Sequence, residues 1–221
     1  MRLLLSGFEP FGGERVNPSW EVASALGAVP AAGVELELLR LPVRGRISFE
    51  RLLPAFEAGR FDAWIGLGQA EGRTHLSVER LGVNLLIDRD ARGLALPEAV
   101  LVHGAPAAYF ARLPVGEMAA AIRRVGTPAQ VSETAGTYVC NEALFAMLHA
   151  LSEAHAGALE GPRAGFIHLP YLPEQVVDRR AGTPSMALES QVRGVRTALE
   201  LVRDLVAAPA PAVPAATSRG T

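Results

Sequence analysis

Short apolar runs alternate with longer segments whose apolar positions recur every three or four residues. "RLLLSG" from Arg2, "VELELLRLP" from Val34 and "FDAWIGLGQ" from Phe61 have the length and continuity of buried strands. "HLSVERLGVNLLID" is rich in branched apolar residues and reads as extended. "NPSWEVASALG" opens a helix, with Asn17 as N-cap and Pro18 at the first helical position. "RISFERLLPAFEAG" reads as helical despite Pro54, and "VGEMAAAIRRVG" as a further helix, with "GAPAAYF" before it as a loop. "PAQVSET" is a strand, Cys140 to His155 a long helix, "RAGFIHLPYL" a strand and "PSMALESQVRGVRTALELVRDLV" a closing helix.

Strands separated by helices predict a single α/β domain, with a twisted, mostly parallel sheet flanked by helices on both faces. The domain is placed at 1–206. The Ala/Pro-rich stretch 207–221 lacks apolar periodicity and reads as a disordered tail.

Composition excludes several functions. Twenty-one Lys and Arg against 23 Asp and Glu give a net charge of −2, which is no footprint for nucleic acid or an anionic membrane. No apolar run reaches the roughly 18 residues of a membrane span. Ser6, Gly7 and Glu9 interrupt the N-terminal apolar stretch too early for a signal peptide. One cysteine among 221 residues allows no disulfide framework, so a reducing cytoplasm is the expected location.

That cysteine, Cys140, follows "SETAGTYV" and begins a helical run in which Leu144, Met147, Leu148 and Leu151 share a face. The sulfur therefore falls in a first helical turn, where unpaired N–H groups favour a thiolate and can receive an oxyanion. A buried small hydrophobe is the bland alternative. A catalytic thiol needs a base, usually histidine. His149 and His155 lie along the same helix, the nearer about 13 Å away at 1.5 Å per residue, and read as solvent-facing or helix-end residues. Spacing leaves His75 and His103 open. His168, at the carboxyl end of a predicted strand, is the best placed, because ligands of α/β sheets gather there. The residues alone do not choose among Glu71, Glu79, Asp88, Asp90 and Glu174 for a third, carboxylate member.

"GLGQAEGR" after a strand invites a dinucleotide-binding reading. Its spacing is one residue off, however, and an extended segment follows where the fingerprint needs a helix. No phosphate loop, C-x-x-C or H-E-x-x-H is present, so neither a cofactor nor a metal is expected.

Five blocks in order, "SGFEPFGGERVNPSWEV", "GLGQAEGRTHLSVERLGVN", "GAPAAYFARLP", "VSETAGTYVCNEALF" and "GFIHLPYLPEQ", resemble the type I pyroglutamyl peptidases, also called pyrrolidone carboxyl peptidases. The similarity runs from about Arg2 to Leu205. It implies a cysteine peptidase that removes an N-terminal pyroglutamyl residue from peptides through a thioester, with Cys140 as nucleophile, His168 as base and Glu79 as carboxylate. It further implies substrate contacts at Phe8, Phe11, Gln69, Arg89, Tyr138 and Val139, and a homo-oligomer, dimer or tetramer. A flat, uncharged lactam suits aromatic faces, and a free α-amine would find no partner there. The chain departs from the family pattern at Tyr138 (usually Phe), Glu142 (often His), Glu71 (usually Gly) and Val43 (often Thr). Glu142, two residues from the nucleophile, is expected to raise the Cys140 pKa. A nucleotide-binding enzyme and a catalytically silent binding protein of the same fold are the competing readings.

Overall fold

A computed structural model describes residues 1–87, 99–155 and 161–208. Six strands form the main sheet: β1 (Arg2–Phe8), β2 (Glu35–Leu41), β3 (Ala63–Gln69), β4 (Leu76–Glu79), β7 (Ala129–Ser132) and β8 (Arg163–Leu169), in the order β2-β1-β3-β8-β4-β7. Neighbours run parallel except at β4 and β8, where Ser77 stands opposite His168 in an antiparallel pair. The sheet is thus mostly parallel, as expected, with one antiparallel junction between its fourth and fifth strands.

Alternation along the strands divides the core. Leu3, Leu5, Ile65, Leu67, Ile167 and Leu169 pack on α1 (Pro18–Ala28), α3 (Val115–Arg124) and α5 (Leu188–Ala207). Leu4, Phe8, Trp64 and Phe166 project the other way, onto α2 (Leu53–Gly59) and α4 (Val139–Ala154). Leu144, Met147, Leu148 and Leu151 are among the α4 side chains that meet this face. Asn17 caps α1, its Oδ1 accepting the Ser19 N–H at 3.0 Å.

Three segments differ from the sequence reading. The helix expected over "RISFERLLPAFEAG" is a wide helical turn, Ser48–Leu52, followed by α2, whose first turn holds Pro54 where no N–H is required. "GAPAAYF" is not all loop: Ala108–Phe110 forms β6, pairing antiparallel with β5 (Leu81–Val83) in a separate ribbon. Ring contact between Tyr109 and Phe145, 5.4 Å between centroids, pins that ribbon to α4. The closing helix starts at Leu188 rather than at Pro184. It runs to Ala207, past the boundary placed at 206, and positions 209–221 lie outside the described residues.

Candidate active site

The carboxyl end of β8 presents His168 on the face turned toward α4. Glu79, two residues from Ser77 on the same face of β4, reaches it: His168 Nδ1 lies 2.8 Å from Glu79 Oε1. Both are buried, Glu79 completely. A carboxylate accepts only, so Nδ1 carries the proton and Nε2 is left as the basic nitrogen. The Phe166 ring, 5.0 Å from the imidazole, fills the space behind it.

Cys140 comes from the other side. Gly136, at φ 81°, adopts a backbone shape that residues with a Cβ rarely take, and two residues later Tyr138 stands as the N-cap of α4. Cys140 is the second residue of the helix, half-buried, with its sulfur packed on β3. A Cβ built on Gly68 would meet Cys140 Sγ at 2.7 Å. Gly68 is the parallel cross-strand neighbour of His168, so the thiol and the imidazole lie over adjacent strands.

Burial, and second the charge of Glu79, push the Cys140 thiol up to about 12. Arg73 and the residue's own backbone N–H at the helix start pull the other way. The thiol therefore rests protonated at neutral pH, and its activation needs a base. Glu142 is not what raises it. Its carboxylate is turned away and accepts the N–H groups of Arg46 at 2.7 Å and Ser48 at 3.0 Å. That expectation from the sequence is corrected: two backbone donors claim the charge.

The first turn of α4 is bolted on both flanks of the sulfur. Asn141, fully buried, donates to Val83 O at 2.9 Å and Leu85 O at 2.8 Å, and accepts the Val83 N–H at 2.8 Å. Glu142 holds the other flank through Arg46, whose φ of 65° is unusual for a residue with a side chain. From the sequence, Asn141 was not singled out, and Glu142 was read only as a charge acting on the thiol, not as an anchor. A polar pair directly after a lone cysteine, on an otherwise apolar helix, was the available signal.

The remaining expected contacts are dispersed around this centre. Val139 is buried at the first position of α4, and Tyr138 beside it is half-buried against the same core. Phe8 ends β1 almost wholly buried, whereas Phe11, in the loop that follows, is 39% exposed. Gln69 ends β3 with its carboxamide polarity fixed by a chain of donors. The Leu172 N–H donates to Gln175 Oε1 at 2.9 Å, so Gln175 Nε2 donates to Gln69 Oε1 at 2.9 Å. Gln69 is left to offer N–H donors. Arg89 lies outside the described residues.

Among the other histidines, His103 is exposed in a loop and His155 closes α4. His149 is not simply solvent-facing: Nδ1 lies 3.0 Å from the Tyr109 hydroxyl, and the ring stacks on Phe145 one turn earlier. Of the carboxylates left open, Glu71 is exposed and lies 3.9 Å from Arg179, Glu174 is exposed, and Asp88 and Asp90 lie outside the described residues. The segment after Gly72 runs into β4 and not into a helix, so the glycine-rich turn makes no dinucleotide fingerprint. Among the described residues no group of three His, Cys, Asp or Glu side chains could hold a metal, and no helix is long and apolar enough to cross a membrane.

Known proteins resemble this chain in sequence and in fold. A family model described as pyroglutamyl peptidase matches residues 1–204. The pyrrolidone-carboxylate peptidase of Gloeobacter violaceus is 45% identical over 205 residues, covering 92% of this chain and 97% of that one. The enzyme of the same name from Chromobacterium violaceum is 43% identical, covering 90% and 91%. Among solved structures, pyroglutamyl peptidase I of Bacillus amyloliquefaciens superposes with a TM-score of 0.82 at 33% identity, over 91% of this chain and 94% of that one. The pyrrolidone carboxyl peptidase of Fervidobacterium islandicum gives 0.83 at 36%, over 92% and 99%.

Proposed function

The chain belongs to the pyroglutamyl peptidase family, and on that premise we propose that Cys140 is its nucleophile, His168 its general base and acid, and Glu79 the carboxylate that orients the imidazole. The reaction is hydrolysis of the amide bond that follows an N-terminal pyroglutamyl residue. The observation that carries the assignment is the buried 2.8 Å contact between His168 Nδ1 and Glu79 Oε1, next to a lone thiol packed on the neighbouring strand.

The chemistry follows from the protonation states. Nε2 of His168 takes the thiol proton as the sulfur attacks the pyroglutamyl carbonyl, because a thiol held up to about 12 is not ionised beforehand. The carbonyl oxygen becomes an oxyanion, met by N–H groups of the first turn of α4, which have no intrahelical acceptor. The imidazolium, stabilised by Glu79, gives its proton to the leaving amine, and the C–N bond breaks to leave a thioester. Water, deprotonated by His168, attacks the thioester and releases pyroglutamate and the thiol.

Phe8, Phe11, Tyr138 and Val139 are taken as the walls for the lactam ring, and Gln69 and Arg89 as polar contacts near the reacting group. Residues 1–206 are taken as the catalytic unit. A catalytic thiol must stay reduced, which favours the cytoplasm, and resemblance to the family favours a homo-oligomer, readable by light scattering. The deciding experiment is hydrolysis of a pyroglutamyl-coumarin amide beside the glutamyl and prolyl amides. Turnover of the first alone is expected. Turnover of none would leave a binding protein of the same fold.

A further inference from the structure

Glu79 carries more than one partner. Its Oε1 receives His168 Nδ1 at 2.8 Å and also lies 3.3 Å from Arg73 Nη1, while Oε2, equally buried, has no hydrogen-bond partner among the described residues. Arg73 stands in the loop that joins β3 to β4, its side chain 27% exposed, so one end reaches water and the other the catalytic carboxylate.

A fully buried carboxylate needs a compensating cation, because the cost of removing its hydration exceeds what one neutral hydrogen bond returns. His168 cannot be that cation in the resting enzyme, since a base must start neutral. Arg73 can, because a guanidinium keeps its charge at any working pH. The charge count then closes at both stages. At rest the group holds Glu79 minus and Arg73 plus. At attack it holds two negative groups, Glu79 and the Cys140 thiolate, against the His168 imidazolium and Arg73. Without Arg73 each stage carries one uncompensated negative charge out of water.

We propose that Arg73 is a positioning residue of the catalytic group: its guanidinium fixes Glu79 Oε1 against His168 and supplies the permanent positive charge that allows carboxylate, imidazolium and thiolate to coexist. The inference rests on the triad reading above. Among the described residues, the charged groups that act on the Cys140 thiol are Glu79 on β4 and Arg73 on the loop before it, and His168 lies on β8, the strand next to the one the sulfur packs on. Glu142, on the same helix as the thiol, is spoken for by two backbone N–H groups. At the sulfur, Glu79 and Arg73 act in opposite directions, the first disfavouring the thiolate and the second favouring it. His75 feels the same pair, with burial and Arg73 lowering its pKa and Glu79 raising it.

The test measures iodoacetamide alkylation of Cys140 against pH, by mass spectrometry, in the wild type, Arg73→Gln and Arg73→Lys. Turnover of a pyroglutamyl amide and thermal melting are followed on the same samples. Arg73→Gln is expected to alkylate about tenfold more slowly near neutral pH, its profile displaced upward by about one unit. Its kcat should fall more than its KM rises, and Arg73→Lys should recover most of both losses. An Arg73→Gln profile that coincides with the wild type's in a protein that melts normally overturns the proposal. If Arg73→Gln does not fold, Arg73→Lys decides alone: a wild-type profile supports the charge argument, and one displaced upward by about a unit defeats it. Wild-type enzyme that keeps full turnover after complete alkylation of Cys140 would instead defeat the triad reading, whatever Arg73 does.

Discussion

Replacing Gly68 by alanine tests where the Cys140 thiol sits without substituting any reactive group. Gly68 has an ordinary strand conformation, so the backbone accepts alanine, and loss of glycine's freedom in the unfolded chain would by itself stabilise the protein by about 0.4–1 kcal/mol. What opposes the change is space. The new methyl would stand 2.7 Å from Cys140 Sγ and 2.9 Å from both Cε1 and Cζ of Phe166. To restore an ordinary contact of 3.4 Å, the sulfur must retreat by about 0.7 Å. Helix α4 cannot simply lift, because Asn141 and Glu142 tie its first turn to the backbone on both sides. The thiol must rotate instead, away from the strand that neighbours His168.

Overpacking of this kind costs about 1–3 kcal/mol, so the net loss of stability is small, a few degrees in Tm at about 2–4 °C per kcal/mol for a chain of this size. The kinetic loss should be larger. Displacement of a reacting atom by about 1 Å costs on the order of a hundredfold in rate, and Gly68→Ala is expected to lose about that much kcat/KM. The assay pairs hydrolysis of a pyroglutamyl amide with a thermal melt. Wild-type kcat/KM in a protein that melts within roughly 2 °C of wild type would show that the sulfur does not rest on Gly68.

Cys140→Ala and His168→Ala should each lower kcat by about a thousandfold or more, since members of one catalytic unit fail together, and EDTA should leave wild-type turnover unchanged. Glu79→Gln keeps size and one acceptor but removes the charge behind the imidazolium; its kcat should fall by less than that of Cys140→Ala, and full activity would assign the histidine to another carboxylate. Tyr138→Ala should raise KM about three- to tenfold with kcat held, the worth of ring packing on the lactam, and an unchanged KM would remove the ring from the pocket. Glu142→Gln sets an amide NH2 against one of the two backbone N–H donors and should cost about 1–3 kcal/mol in denaturant unfolding. Burial, the largest cause, holds the Glu142 pKa above the ordinary carboxylate value despite those donors. In the window between the unfolded and folded values the native state binds more protons, so this residue's contribution to stability falls as pH rises. Subtracting the Glu142→Gln stability curve from the wild type's should reveal that slope.

The strands and most helices were legible because each buries one face of its own periodicity. "RLLLSG" and "FDAWIGLGQ" are apolar on both faces, and they became β1 and β3 in the interior of the sheet. The α4 stripe of Leu144, Met147, Leu148 and Leu151 required a core to meet, and found one. Pairing was not legible. Nothing local states that β4 inserts beside β8 in the opposite direction, yet that register alone sets Ser77 opposite His168 and brings Glu79, 89 residues away in sequence, onto its Nδ1. The residues could nominate His168 from its place at a strand end. The carboxylate depended on a partner strand chosen by the whole fold.

The glycines of "GLGQAEGR" illustrate the same limit from the other side. As a motif they suggested a turn for a pyrophosphate, but the structure uses the first two inside β3, two positions apart and so on the same face, the one that carries the site. A Cβ at Gly66 would strike Phe166 at 2.4 Å and Trp64 at 2.6 Å, and one at Gly68 would strike Cys140. Two absent side chains make the hollow in which Phe166 backs the imidazole and Cys140 lies on the sheet. A glycine required for empty space above a strand and a glycine required for a turn are the same letter. Only the identity of the neighbours, fixed by tertiary pairing, tells them apart. Gly72, third in the motif, does have the positive φ of 78° that a turn demands. It lies one residue before Arg73, and so shapes the loop that carries the guanidinium to Glu79.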